Sequence, residues 1–139
     1  MSEPRSLVTA SARPRRVVLA SGNPGKQREL ESLLGPHGIE LILQAALGIP
    51  GAEESGATFE ANALQKAAHA ARLSGLPALA DDSGLEVDAL GGRPGVRSAR
   101  YAGAAAGDAA NNARLLEELR GVPAAARTAR YRCVLALVR

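Results

Sequence analysis

At 139 residues the chain has the length of one domain and can bury a sizeable core. A composition 46% apolar and 22% charged excludes a disordered segment, and the longest strongly apolar run, residues 133–138, is far too short to span a bilayer. The net charge of +3 and a mere three aromatics (Phe59, Tyr101, Tyr131) argue against a nucleic-acid binder, which stacks bases on several rings, and suit small anionic ligands instead.

Residues 1–16 carry Arg5, Arg13, Arg15 and Arg16 with Pro4 and Pro14, and read as a mobile basic tail. No apolar stretch follows them, so they do not form a secretory signal. Residues 16–20 read as a short buried strand. A helix over 26–34 follows, with Leu30, Leu33 and Leu34 on one face, stopped by Gly35-Pro36-His37-Gly38. A second strand covers 39–43 and a Gly- and Glu-rich loop covers 48–57. Thr58 caps an Ala-rich helix reaching about Leu73, with Phe59, Ala63, Ala67 and Ala71 along one stripe. Pro77 opens a third strand that ends at two aspartates, and the alternation over 85–90 predicts a fourth. A turn spans 91–95. Asp108 caps a helix through Arg120 with Leu115, Leu116 and Leu119 inward, and 128–138 forms the last strand. The order β-α-β-α-β-β-α-β predicts an α/β domain, a mixed sheet with helices on its faces. The single cysteine, Cys133, excludes an internal disulfide, suits a reducing cytoplasmic setting and reads as a core residue.

Two segments carry chemistry. Ser21-Gly22-Asn23-Pro24-Gly25-Lys26 lies between the first strand and the first helix. Asn23 suits an N-cap and Pro24 the first helical position. The glycines admit close approach, the first-turn N–H groups sit at the positive helix end, and Lys26 adds a full charge, so each part favours an oxyanion. The pattern is neither a Walker A motif nor G-x-G-x-x-G. A tight turn with a solvated lysine reads the segment equally well.

The second segment, Ala80-Asp81-Asp82-Ser83-Gly84-Leu85, puts two carboxylates at the mouth of an apolar strand, a costly arrangement unless they are wet, paired or bound to a cation. Mg²⁺ takes one or two carboxylates together with substrate phosphates. On an extended strand Asp81 and Asp82 point to opposite faces, so one faces the cleft and the other takes partners. Glu53 and Glu54 are the candidates for further metal ligands, with Glu86 and Asp88 weaker ones. Lys66 either reaches back toward phosphates or lies solvated on its helix. His37 and His69 lack zinc-site spacing and read as structural.

Taken together, Ser21-x-Asn23-x-Gly25-Lys26, Glu53-Glu54, Thr58-Phe59-x-x-Asn62-Ala63 with Lys66, Ala80 to Leu85, Leu90-Gly91-Gly92-Arg93-Pro94-Gly95-Val96 and Ser98-Ala99-Arg100-Tyr101-Ala102-Gly103 resemble the inosine triphosphate pyrophosphatase family over residues 17–139. The resemblance implies an elongated mixed sheet with two lobes around a central cleft. It also implies Mg²⁺-dependent hydrolysis of non-standard purine triphosphates (dITP, ITP, XTP) to the monophosphate and pyrophosphate, a nucleotide-pool cleansing role. It implies triphosphate binding on Ser21, Gly22, Asn23, Pro24, Gly25 and Lys26, with Lys66 and Ser83 on substrate. Asp82 would be proton acceptor and Mg²⁺ ligand, and Glu53 or Glu54 would help hold the metal. The expected partners are a nucleoside triphosphate and a second copy in a homodimer, with neither nucleic acid nor membrane.

Two departures accompany the resemblance. Arg97 stands where many relatives carry an aromatic. The family also continues beyond the last strand with a Gly-Phe-Gly-Tyr-Asp-Pro-type and a Ser-His-Arg-type segment that hold and read the purine, and neither is present, so the domain is expected to be incomplete at its C-terminus and to have little base selectivity. The alternatives are an inactive remnant that binds phosphate or Mg²⁺ or acts as an interaction subunit, and a different Mg²⁺-dependent phosphohydrolase.

Overall fold

The computed structural model describes residues 13–139. Four strands form one mixed sheet in the order β2-β1-β3-β4. Strand β1 (Arg15–Leu19) pairs in parallel with β2 (Ile39–Leu43) on one side and with β3 (Ala78–Val87) on the other, and β3 pairs antiparallel with β4 (Ala129–Val138). Helix α1 (Pro24–Leu34) links β1 to β2, and α2 (Phe59–Ser74) carries the chain back to β3. The chain therefore leaves β1 toward one side of the sheet and later returns on the other. That reversal opens a crevice beyond the carboxyl end of β1, the usual ligand position in such sheets. Helix α3 (Asp108–Glu118) packs on the short helical turn Gly95–Arg100, which lies against β3, forming a second lobe.

The core is built from small residues. Ala63, Ala67 and Ala70 of α2 are fully buried against Val18, Ala20, Ala78, Ala80 and Ala136. Methyl groups on both surfaces let the helix approach the sheet closely at interior density. Thr58 caps α2 by accepting from the Ala61 N–H at 3.1 Å, and Gly75 closes it with φ +70°. Among the described residues no helix is long and apolar enough to cross a membrane.

Several expectations are corrected. The third and fourth strands are one continuous strand, so the sheet has four strands and the aspartates lie inside β3 rather than at its end. The apparent strand end is the end of its pairing with β1, whose last partner is Leu79; β4 pairs every residue from Ala78 to Val87. Residues 88–90 form a helical turn instead of strand. Gly107, not Asp108, is the N-cap of α3, and the helix stops at Glu118. Leu119 is buried, whereas Leu116 of α3 and Leu33 of α1 are each 60% exposed. Cys133 is exposed because it lies on the face of β4 opposite Ala136, with Tyr131, Leu135 and Leu137. Arg15 and Arg16, the end of the expected basic tail, belong to β1; residues 1–12 lie outside those described.

Candidate active site

The turn after β1 has the cap that its sequence demands. The Asn23 side-chain oxygen accepts from the N–H groups of Gly25 at 2.9 Å and Lys26 at 3.3 Å, Pro24 takes the first helical position, and the Asn23 N–H donates to Ser21 Oγ at 3.2 Å. This changes the expected cradle. Two first-turn N–H groups are already satisfied by Asn23, so the groups turned to the crevice are Ser21, the Asn23 amide and the Lys26 ammonium. Gly22 has open space around it and leaves room for a ligand against the backbone.

Asp81 and Asp82 point to opposite faces, as strand geometry requires. Asp81 forms a short ion pair with Lys26, on the face where α1 begins. Asp82 shares its face with Ala80 and meets α2. Its Oδ1 lies 3.8 Å from the Lys66 ammonium, and its Oδ2 is buried without a partner. Lys66 in turn holds Glu54 Oε1 at 2.9 Å. Burial pushes the Asp82 carboxyl above its ordinary pKa; Lys66 and the neighbouring Asn62 amide oppose this, while Glu54 and Asp81 add to it. A cleft of about 290 Å³ is lined by Ser21, Lys26, Glu54, Lys66 and Asp81 among others; Asp82 does not line it and is linked to it through Lys66.

The other expected site residues fall elsewhere. Glu53 is exposed and lines a separate hollow with His69 and Arg72, so of the two glutamates Glu54 alone lines this cleft. Ser83 is exposed and borders a hollow of about 370 Å³ between β3 and α3. Glu86, near the end of β3, and Asp88, just beyond it, are engaged by Arg130. His69 Nε2 lies 2.8 Å from the Pro50 carbonyl oxygen and helps anchor the loop before α2.

Two residues were missed. Gln44, in the turn after β2, lines the cleft, and its Oε1 is buried without a partner; no local pattern marks it. Asn62 was noticed within a motif but given no role. A stripe at Asn62, Gln65, Lys66 and His69 follows i, i+3, i+4, i+7 beside the alanine stripe of α2 and could have revealed it. Each member except Lys66 holds the loop's backbone: Asn62 at Gly56, Gln65 at Ser55, His69 at Pro50.

Among the described residues no group of three or more His, Cys, Asp and Glu side chains is arranged to hold a metal by itself. Mg²⁺ does not need one when phosphates complete its shell. Glu54 and Asp82 flank the same ammonium, and carboxylate oxygens are the hard donors such an ion takes. The residues therefore fit Mg²⁺ bound together with an anionic substrate.

The Ham1 family model matches residues 17–139. The chain belongs to the Ham1 family. It is 65% identical over 125 residues to a dITP/XTP pyrophosphatase of Methylococcus capsulatus, covering 90% of this chain and 62% of that protein. A dITP/XTP pyrophosphatase of Shigella flexneri is 56% identical over 89% of this chain and 63% of its own length. A solved HAM1 protein from Coxiella burnetii superposes with a TM-score of 0.84 at 47% identity, over 88% of this chain and 62% of that one. The chain thus spans about 62% of the length of these Ham1 relatives.

Proposed function

We propose that this Ham1 chain binds a nucleoside triphosphate by its phosphates and hydrolyses it to the monophosphate and pyrophosphate, with dITP, ITP and XTP as the substrate class. The observation that carries the reading is one cleft lined by Lys26, Asp81, Lys66 and Glu54, with Asp82 facing the same Lys66 ammonium. The dITP/XTP pyrophosphatase activity for which the relatives are named supports it.

In this reading Ser21, Asn23 and Lys26 hold the phosphate tail, and Lys66 neutralises charge on it as the α–β phosphoanhydride bond breaks. Phosphoryl transfer needs chiefly positioning and charge neutralisation, which two lysines on opposite sides of the tail supply. Asp82 accepts the proton of a water that attacks the α-phosphorus; the new P–O bond forms as the bond to the β-phosphate oxygen breaks and pyrophosphate leaves. Its raised pKa suits a base, because a carboxylate that holds a proton more tightly removes one more effectively. Mg²⁺, held by Glu54 and Asp82, would supply Lewis-acid charge to the phosphate oxygens. The homodimer implied by the family resemblance belongs to the same reading, and sedimentation reads it directly.

Pyrophosphate release from dITP, XTP and ATP with Mg²⁺ tests the proposal. Release that vanishes in Asp82→Asn while the fold persists is the expected result. Tight pyrophosphate binding with no release by the unaltered chain would replace it with the non-catalytic binding reading.

A further inference from the structure

The Asn62 carboxamide is fully buried, and its orientation is fixed by chemistry. The Gly56 N–H donates to it at 2.7 Å, and an N–H can be received by the amide oxygen alone. The NH₂ group must therefore face the other way, where it has no partner. A buried unpartnered donor is costly, and so is a buried unpartnered acceptor. The structure holds one of each, Asn62 Nδ2 and Asp82 Oδ2, and the Asn62 side chain lies near enough to Asp82 to act on its carboxyl as a hydrogen-bond donor. Asn62 lies one helical turn before Lys66, which already reaches Asp82 from the same face of α2.

The loop end of this contact is equally constrained. A Cβ at Gly56 would stand 2.6 Å from Asn62 Oδ1 and 2.8 Å from the Ala61 Cβ, so the backbone is pressed onto the carboxamide. Glu54 lies two residues earlier on this loop, and Ser55 is tied to Gln65. One planar amide thus touches the loop that carries Glu54 with its oxygen and turns its nitrogen toward the strand that carries Asp82.

We propose that Asn62 is a positioning residue: its oxygen fixes the Glu54 loop through Gly56, its nitrogen donates to Asp82, and together they set the spacing of the two carboxylates. The proposal rests on the reading of Asp82 and Glu54 as the reactive pair, and extends it to a residue that acts only through them.

Two measurements test it, and one needs no turnover. In spectra of ¹⁵N-labelled protein, the Asn62 side-chain amide protons of the unaltered chain should lie downfield of those in Asp82→Ala, which lacks the acceptor. The Gly56 amide signal should move with them. Unchanged Asn62 and Gly56 signals in Asp82→Ala overturn the proposal, whatever the enzyme does. The second measurement uses Asn62→Asp, which keeps an acceptor for the Gly56 N–H but removes the donor to Asp82. It should retain slow hydrogen exchange at Gly56 and an unaltered KM, with kcat lower by about 100-fold, the scale of loss from a slightly misplaced reactive group. Wild-type kcat together with protected Gly56 contradicts the positioning role. An unaltered chain that releases no pyrophosphate withdraws the proposed reaction, and the amide spectra then decide the Asn62 contact alone.

Discussion

Asp81 and Asp82 are adjacent and almost equally buried, 6% and 7% exposed, yet they have different electrostatic surroundings. Asp81 faces the side where α1 begins and is paired directly with Lys26, whose side chain remains 35% exposed to the cleft. Asp82 faces α2, where Ala63, Ala67 and Ala70 close the surface, and its ammonium partner stands off at 3.8 Å. Depth alone does not separate them. Compensation does: the first carboxylate is neutralised by a contact ion pair, and the second keeps an unpartnered oxygen and a raised pKa. One strand thereby offers an ion-pairing acid on one face and a basic carboxylate on the other.

The largest effect expected from this contrast is on chemistry. Asp82→Asn should lower pyrophosphate release by about 100- to 10,000-fold, the range for a lost general base. Asp81→Asn should act on KM instead, because it frees Lys26 and alters triphosphate affinity. Steady-state kinetics on dITP separates the two, and equal kcat losses would erase the distinction between the faces.

Packing comes next. Ala67→Leu forces a larger side chain between α2 and the sheet and should destabilise by about 1–3 kcal/mol, measured by urea unfolding. Gly84→Ala belongs in the same range: a Cβ there collides with the Gly95 carbonyl oxygen and approaches Ser98 Oγ to 2.7 Å. A smaller effect concerns pH. The raised Asp82 pKa means that the folded chain holds this proton more tightly than the unfolded one. Its stabilising contribution is full below the unfolded value of about 3.9 and is lost as pH rises through the native value. Metal-free wild type should therefore lose stability relative to Asp82→Asn across that window, and parallel urea titrations at acidic and neutral pH would show it. A constant difference would mean that Lys66 already compensates for burial. The smallest effect is on the open side, where Leu33→Ala on α1 should change stability by no more than about 0.5 kcal/mol.

What could be read from sequence follows the range of the interactions involved. Asn23-Pro24 and Thr58 mark helix starts because a cap is satisfied within three residues, and both caps form as expected. The alanine stripe of α2 is visible for the same reason. The continuity of β3 through Asp-Asp-Ser-Gly was not legible, because local composition there suggests a loop and only pairing with β4, about fifty residues later, keeps it extended. Leu116 and Leu33 have helical spacing but no neighbour to cover them among the described residues. The two faces of β3 were expected from strand geometry, whereas the choice of Asp82 for the α2 side depends on the register that sets Ala78 and Ala80 under the helix. Gln44 and Asn62 enter the site through tertiary placement, and Glu53 and Glu54 became distinguishable only when the loop path was known.

The pairing of β3 with β4 has a practical consequence. It sets Cys133 directly across from Ser83, and this sulfur is both solvent-accessible and the sole thiol in the chain. A maleimide dye would therefore attach at one known position beside the hollow that Ser83 borders, without any cysteine having to be engineered in or out. Fluorescence from that label offers a test of the proposed nucleotide binding that does not depend on cleavage.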